Sequence, residues 1–373
     1  MENKFRCIRG LLTIVLVGII TVSFAGCKRP PDIKPAIGPT VVKETENNVD
    51  ISSQTRLTVK IQSGSVKITR GTQNKLQIIE ETSLKGPAKK EHLNQILKDI
   101  KSTVETTSMS VSINHKAYLA ADVNADAQVD EKAGAVAEAK ETEEIRPLYR
   151  CTVEMELIVP ETVTAIEVDA ENAAITLSGF DDMSNVDLSA ERGLIHVDRC
   201  GTNKISISVD NGDISTENIS GYSSYDCGRG DIMITGAKGV IDLKSLAGDS
   251  IIENTEGKLN CDISAGSLTV RESKMERGSV LYASNGMISA ELEGIDSEGT
   301  YTIKSSAGDI RVKLPKKAGW SMSAKSTRGR VKNHIDPIAE TLETGTDGEV
   351  YGDVNGGGPL IDIYVDMGNI ILN

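Results

Sequence analysis

Aromatic side chains are scarce: they make up 3% of the 373 residues, with one Trp and three Phe. A compact globular core of this length ordinarily holds more large rings. A narrow core of small and branched side chains is expected instead, as in repetitive β structure. Histidine is scarce as well. His92, His115, His196 and His334 lie far apart, and none sits in an HExxH or triad-like local signature. No CxxC occurs, which leaves a zinc or redox site without support. The run GGGP at 356–359 is followed by neither Lys-Ser/Thr nor a helical pattern, so it reads as a turn and not as a phosphate loop. A polysaccharide lyase or hydrolase would want acids in a cleft lined by rings, and this chain has acids throughout but few rings. The chain is therefore read as a non-enzyme, with no cofactor and no metal.

Long apolar runs are also rare, and the one that stands out is at the start. Lys4, Arg6 and Arg9 precede LLTIVLVGIITVSF, Leu11 to Phe24, which is followed by Ala25, Gly26 and Cys27. Charged start, apolar run and small residues are the layout of an export signal, and the run is short for a membrane-spanning helix. Ending on Cys, it resembles a bacterial lipobox, with Phe24 standing where Leu is usual. The resemblance implies that residues 1–26 are removed and that Cys27 carries a diacylglycerol. Acyl chains then attach the protein to a membrane. Lys28 is not an Asp-type retention signal, so in a cell with two membranes the outer one is the expected destination, and in a cell with one, its outer surface. The chain carries a formal charge of −13, and losing Glu2, Lys4, Arg6 and Arg9 with the leader leaves −15. Nucleic acid is not an expected partner for so acidic a product. Four cysteines remain, Cys151, Cys200, Cys227 and Cys261. Export permits disulfides, and the sequence does not choose among the three pairings.

Residues 27–50 are rich in Pro and charge and read as a lipidated tether. Strands are expected at 56–61, 65–69, 75–82, 108–114 and 149–160 from alternation and β-branching. Between them Leu93, Ile96, Leu97, Ile100 and Val104 recur at helical spacing, which predicts one inserted helix near 88–104 that packs on the β body. Residues 117–145 are Ala- and acid-rich and read as a low-complexity surface insertion.

From about 170 the chain repeats itself. ERGLIHV, DNGDIST, GRGDIMI, LAGDSII, SAGSLTV, SNGMISA, SAGDIRV and TRGRVKN align on Gly193, Gly212, Gly230, Gly248, Gly266, Gly286, Gly308 and Gly329. ENAAITL fits one period earlier with Ala173 in the glycine slot, and DMGNIIL fits at the end around Gly368. A period near 20 means stacked units, none able to bury its apolar face alone. The same motif recurs in the same direction, so hairpins throughout are excluded. An all-β parallel solenoid (a β-helix) over 51–373 is the expected fold, each coil ~4.8 Å from the next. Arg229-Gly230-Asp231 spells an integrin-binding tripeptide, but Gly230 and Asp231 occupy ordinary repeat slots, as do Asp213 and Asp249. These aspartates should stack in one column and accept turn N–H bonds in preference to holding calcium.

The glycine turns, the IVP at Ile158 to Pro160, the VKLP at Val312 to Pro315 and the closing GGGPLIDIYVDMGNIIL resemble the toastrack, or adhesin-type, family of extracytoplasmic β-solenoid proteins. That resemblance implies a solenoid at the cell envelope that presents an adhesin-like binding surface to a protein or glycan ligand. The alternative it leaves open is a stress-sensing or scaffold protein that acts through another envelope protein. The family brings no catalytic residues to transfer.

Overall fold

Alternation governs the stack from inside. In the computed structural model, which describes residues 38–51, 55–115, 149–335, 343–344 and 348–373, Ile195, Val197, Ile205, Ile207, Val209 and Ile214 are all at most 1% exposed. The residues between them face outward, because successive side chains on a strand point to opposite faces. Strands of successive coils pair in parallel with an exact 18-residue offset over the middle of the chain: Ile214 lies beside Ile232, Ile232 beside Ser250 and Ser250 beside Leu268. The parallel solenoid is thus the observed fold. Large rings enter the core singly, at Phe180, Tyr225, Tyr301 and Trp320.

Two corner columns turn the chain. At the first, a Cβ on Gly212, Gly230 or Gly248 would lie 1.7–1.9 Å from the carbonyl oxygen of the glycine one coil back, and φ is +133° to +152°. The slot needs glycine both for its backbone angle and for the close approach of the neighbouring coil. Six residues later comes a second corner in left-handed conformation: Gly179, Arg199, Asn218, Gly236, Asn254 and Glu272, with φ between +49° and +77°. Side chains other than Gly and Asn occupy it, which is why no sequence pattern marks it.

The stacking order differs from the chain order at both ends. Near the N-terminus the elements are β1 (Thr40–Asp50), β2 (Arg56–Arg70), β3 (Lys75–Lys85), α1 (Lys90–Asp99), β4 (Thr103–Thr106), β5 (Ser110–His115), β6 (Arg150–Val159) and β7 (Ala165–Met183). Strand β2 lies between β7 on one side and β5 and β6 on the other, all parallel. The earliest coil is therefore one layer inside a later one. At the other end, Leu360–Met367 and Ile370–Leu372 pair in parallel with Thr300–Ala307 and Ile310–Lys313, and on their opposite side with Trp320–Arg328 and Val331–Asn333. The corner order is Gly308, Gly368, Gly329, and the even glycine spacing at 308 and 329 misleads about which coils touch.

Antiparallel strands close both ends. Strand β3 pairs with β6 and β1 pairs with β3, while Glu349–Val354 runs antiparallel beside Trp320–Arg328. Residues 40–50, read as tether, are this outer strand. Charge on an edge strand discourages further pairing, and the sequence KETENN looks like linker for that reason. The helix is shorter than expected. It spans Lys90–Asp99, Ile100 is already extended, and Val104 belongs to β4. Its buried Leu93 and Leu97 pack with Val41, Leu84, Ile100 and Cys151 in a small second core. The signal segment, Cys27 and the 117–145 insertion lie outside the described residues.

Candidate functional site

The outward face of the strands before each corner glycine is a regular surface. Coil by coil it presents Ser206 and Ser208, Ser224 and Asp226, Asp242 and Lys244, Asn260 and Asp262, Tyr282 and Ser284, and Lys304 and Ser306. Beneath it the inward residues, Ile207, Tyr225, Leu243, Cys261, Ala283 and Ser305, are nearly or fully buried. Polar groups therefore stand on a rigid backbone grid at ~4.8 Å spacing.

Three tyrosines on this face are held alike. Tyr222 Oη donates to Asp242 Oδ2 at 2.5 Å, Tyr282 Oη bonds Ser306 Oγ at 3.1 Å, and Tyr364 Oη bonds Thr327 Oγ1 at 3.0 Å. Each partner lies on the next coil, two positions further along the strand. The Asp242 carboxylate is the larger cause of a raised Tyr222 pKa, whereas Ser284 and Ser306 lower that of Tyr282.

The aspartate column exists, and its bonding is between coils. The Asp231 N–H donates to Asp213 Oδ1 at 2.9 Å, Asp249 N–H to Asp231 Oδ1 at 2.9 Å, and Ser267 N–H to Asp249 Oδ1 at 2.8 Å. Asn369 N–H bonds Asp309 Oδ1 in the same way. The N–H bonding was expected within each turn; the carboxylates instead tie one coil to the next. Among the described residues, no group of three His, Cys, Asp or Glu is arranged to hold a metal ion. Asp231→Asn keeps the accepting oxygen and should leave the urea midpoint nearly unchanged. Asp231→Ala leaves the Asp249 amide without its acceptor and should cost about 1 kcal/mol. Millimolar calcium should not move either midpoint, and an equal loss for both variants would show that the column is not held by these bonds. Arg229-Gly230-Asp231 is accordingly a coil corner, with Asp231 Oδ1 already engaged.

The histidines separate. His92 and His334 are exposed, and His196 is partly exposed, outward between buried Ile195 and Val197. His115 differs, at 1% exposed on β5. Its Nδ1 lies 3.0 Å from Ser102 Oγ, which donates to Glu80 Oε1, while Glu80 Oε2 accepts from Thr45 Oγ1 at 3.4 Å. Nε2 has no hydrogen-bond partner. Alternation on β3 puts Glu80 inward between Ile78 and Leu84, at the seam between the two cores. No local motif marks this network, because its members come from four segments. Burial is the main cause of a lowered His115 pKa, with Glu80 acting to raise it and Lys43 to lower it. A depressed pKa means the unfolded chain binds the proton first, so this contribution to stability is present above ~6.5 and is lost as pH falls through the folded value. The urea midpoint should fall between pH 7 and 5, and His115→Gln should flatten that slope. The same slope in the variant would assign the effect to other groups.

Cys151, Cys200, Cys227 and Cys261 are buried and free, so none of the three pairings is formed. Burial pushes the thiols up to about 11, 12, 11 and 12 respectively, which makes them poor nucleophiles. A polar groove of about 470 Å³ lies where β7 bulges, lined among others by Asp182, Ser184, Thr202 and Asn203. Near it the Arg70 guanidinium stands 4.5 Å from the Phe180 ring and donates to the carbonyls of Pro160 and Val163. The GGGP run is the turn into Leu360–Met367, with Gly356 and Gly357 at positive φ. No helix among the described residues is long and apolar enough to cross a membrane.

No functionally curated protein matches the chain. Two solved structures align along most of it. One is described as a candidate cell adhesion protein from Clostridium sporogenes, 12% identical, with 88% of this chain and 99% of that one covered and a TM-score of 0.18. The other is a candidate adhesin from Bacteroides fragilis, 11% identical, covering 89% and 97% at a TM-score of 0.31. At these identities and scores neither likeness bears on function. The family model described as Toastrack DUF4097 matches residues 43–373, which is nearly the whole solenoid and begins inside β1. The chain belongs to the Toastrack family.

Proposed function

We propose that the protein is a lipid-anchored, extracytoplasmic binding protein of adhesin type, held at the envelope by a diacylglycerol on Cys27 and binding its ligand on the outer face of the coils. The observation that carries this reading is the regular face that runs from Ser206 to Thr327, mostly polar outside, with Leu246 and Val280 exposed among the polar groups, and packed beneath. Its backbone is fixed by the coils on either side, so a ligand that docks there orders little of the protein. The buried, raised-pKa thiols and the structural carboxylate column favour binding over catalysis as its role.

Two measurements test the reading. Cys27→Ser should abolish acylation and move the protein from the membrane fraction to the soluble one; unchanged acylation would end the anchoring proposal. A photo-crosslinker placed at Ser208 on intact cells should capture a surface ligand, while the same probe at exposed His334, away from this face, should not. Equal capture at both positions would count against a face-specific function.

A further inference from the structure

We propose that the C-terminal part of this face binds an extended, uncharged β-linked glycan along a track through Tyr282 and Tyr364. Registers place Tyr282 beside Lys304 and Lys304 beside Tyr364, so the two rings stand in one column exactly two coils apart, about 10 Å. That separation is close to the repeat of an extended β-linked disaccharide, whose every second ring presents the same face. Both rings are held in the same way. Each hydroxyl bonds a Ser or Thr hydroxyl two positions along on the next coil, and Ser284 Oγ bonds the Tyr282 hydroxyl as well. A tyrosine tethered at its tip to a neighbour on the same sheet face must lean along the sheet, so it turns one ring face to solvent. Little rotamer freedom is left to lose on binding. Apolar C–H faces of a pyranose stack on such a ring, and the surrounding hydroxyls suit the equatorial ones of the sugar.

Charge selects the class of glycan. Every cation beside the track is matched by an acid: Lys304 by Asp362 at 3.1 Å, Lys325 by Glu349 at 2.5 Å and Arg328 by Asp366 at 2.6 Å. Asp262, beside Tyr282 in the register, is one acid without an ion pair among the described residues, so the stretch has no uncompensated cation. It complements a neutral, hydroxyl-rich polymer and not a polyanion. Tyr222 is tethered in the same manner, but it lies four positions off the column and further down the stack, and so serves as an internal control.

The inference rests on the binding-surface reading given above. Titration calorimetry of the purified full-length protein in detergent, with cellohexaose and chitohexaose as probes, tests it. At least one hexasaccharide should bind, and more tightly than its disaccharide, which reaches one ring only. Tyr282→Ala and Tyr364→Ala should each weaken binding about fivefold to tenfold, the scale of one ring contact. Tyr282→Phe, which keeps the ring and loses the tether, should weaken it less, and Tyr222→Ala should leave it unchanged. Failure of both hexasaccharides to bind, or binding indifferent to the double alanine variant, overturns the glycan assignment. If that happens while the Ser208 crosslinker still captures a surface ligand, the face remains a binding surface of another class. If crosslinking fails too, both readings fall.

Discussion

Replacing Gly230 by alanine should destabilise the solenoid by about 3–5 kcal/mol, the sum of a backbone and a packing penalty. The backbone penalty comes from φ = +141°, where an L side chain is strained. The packing penalty comes from the Gly212 carbonyl oxygen, 1.9 Å from where the new Cβ would stand. That oxygen belongs to a backbone held by coils on both sides, so it cannot yield as a flexible side chain would. Gly179→Ala is the matched control. Its φ is +77°, but no atom lies within 4 Å of the added carbon, and the loss should be only about 1 kcal/mol. Urea unfolding of the two variants separates the contributions. Equal losses would mean that inter-coil approach is not what demands glycine in the column.

A chain that ends at Gly358 should lose much more than its last coil. The missing segment contains Ile361, Ile363, Val365, Ile370 and Leu372, each 0% exposed. At about 2 kcal/mol per buried aliphatic side chain, some 10 kcal/mol of burial disappears. Because the segment lies between two coils, its loss also uncovers Tyr301, Ile303 and Ile310 on one side and Trp320, Met322 and Ala324 on the other. Limited proteolysis should therefore remove residues from about Ala318 onward and stop near the Gly308 coil. If Trp320–Arg328 stayed protected in the truncated protein, it would have to be stacked directly on Thr300–Ala307, and the inverted order would be wrong.

The glycine spacing made the repeat legible because one backbone demand recurs at one position. It did not reveal contact order. A step of 21 residues from Gly308 to Gly329 resembles a coil, whereas those coils are kept apart by the one at Gly368. The clue was the step of 39 from Gly329 to Gly368, about two periods with no corner between. The second corner escaped notice because Arg199 and Glu272 hold a left-handed angle that packing imposes and residue type does not announce. Strand β1 looked like linker because an edge strand and a tether are both charged. The tyrosine tethers and the Glu80–Ser102–His115 network join residues distant in sequence, and only the register brings them together.

Between Gly212 and Gly266 successive coils are 18 residues long and pair at a constant 18-residue offset, while the helix and the inverted coils lie at the ends. The protein is in this sense a ruler with fixed end-stops. Whole 18-residue units can be added to or taken from the middle by duplication or deletion without disturbing either closure, each changing the length by ~4.8 Å. The length of the outer face would then vary in the same discrete steps.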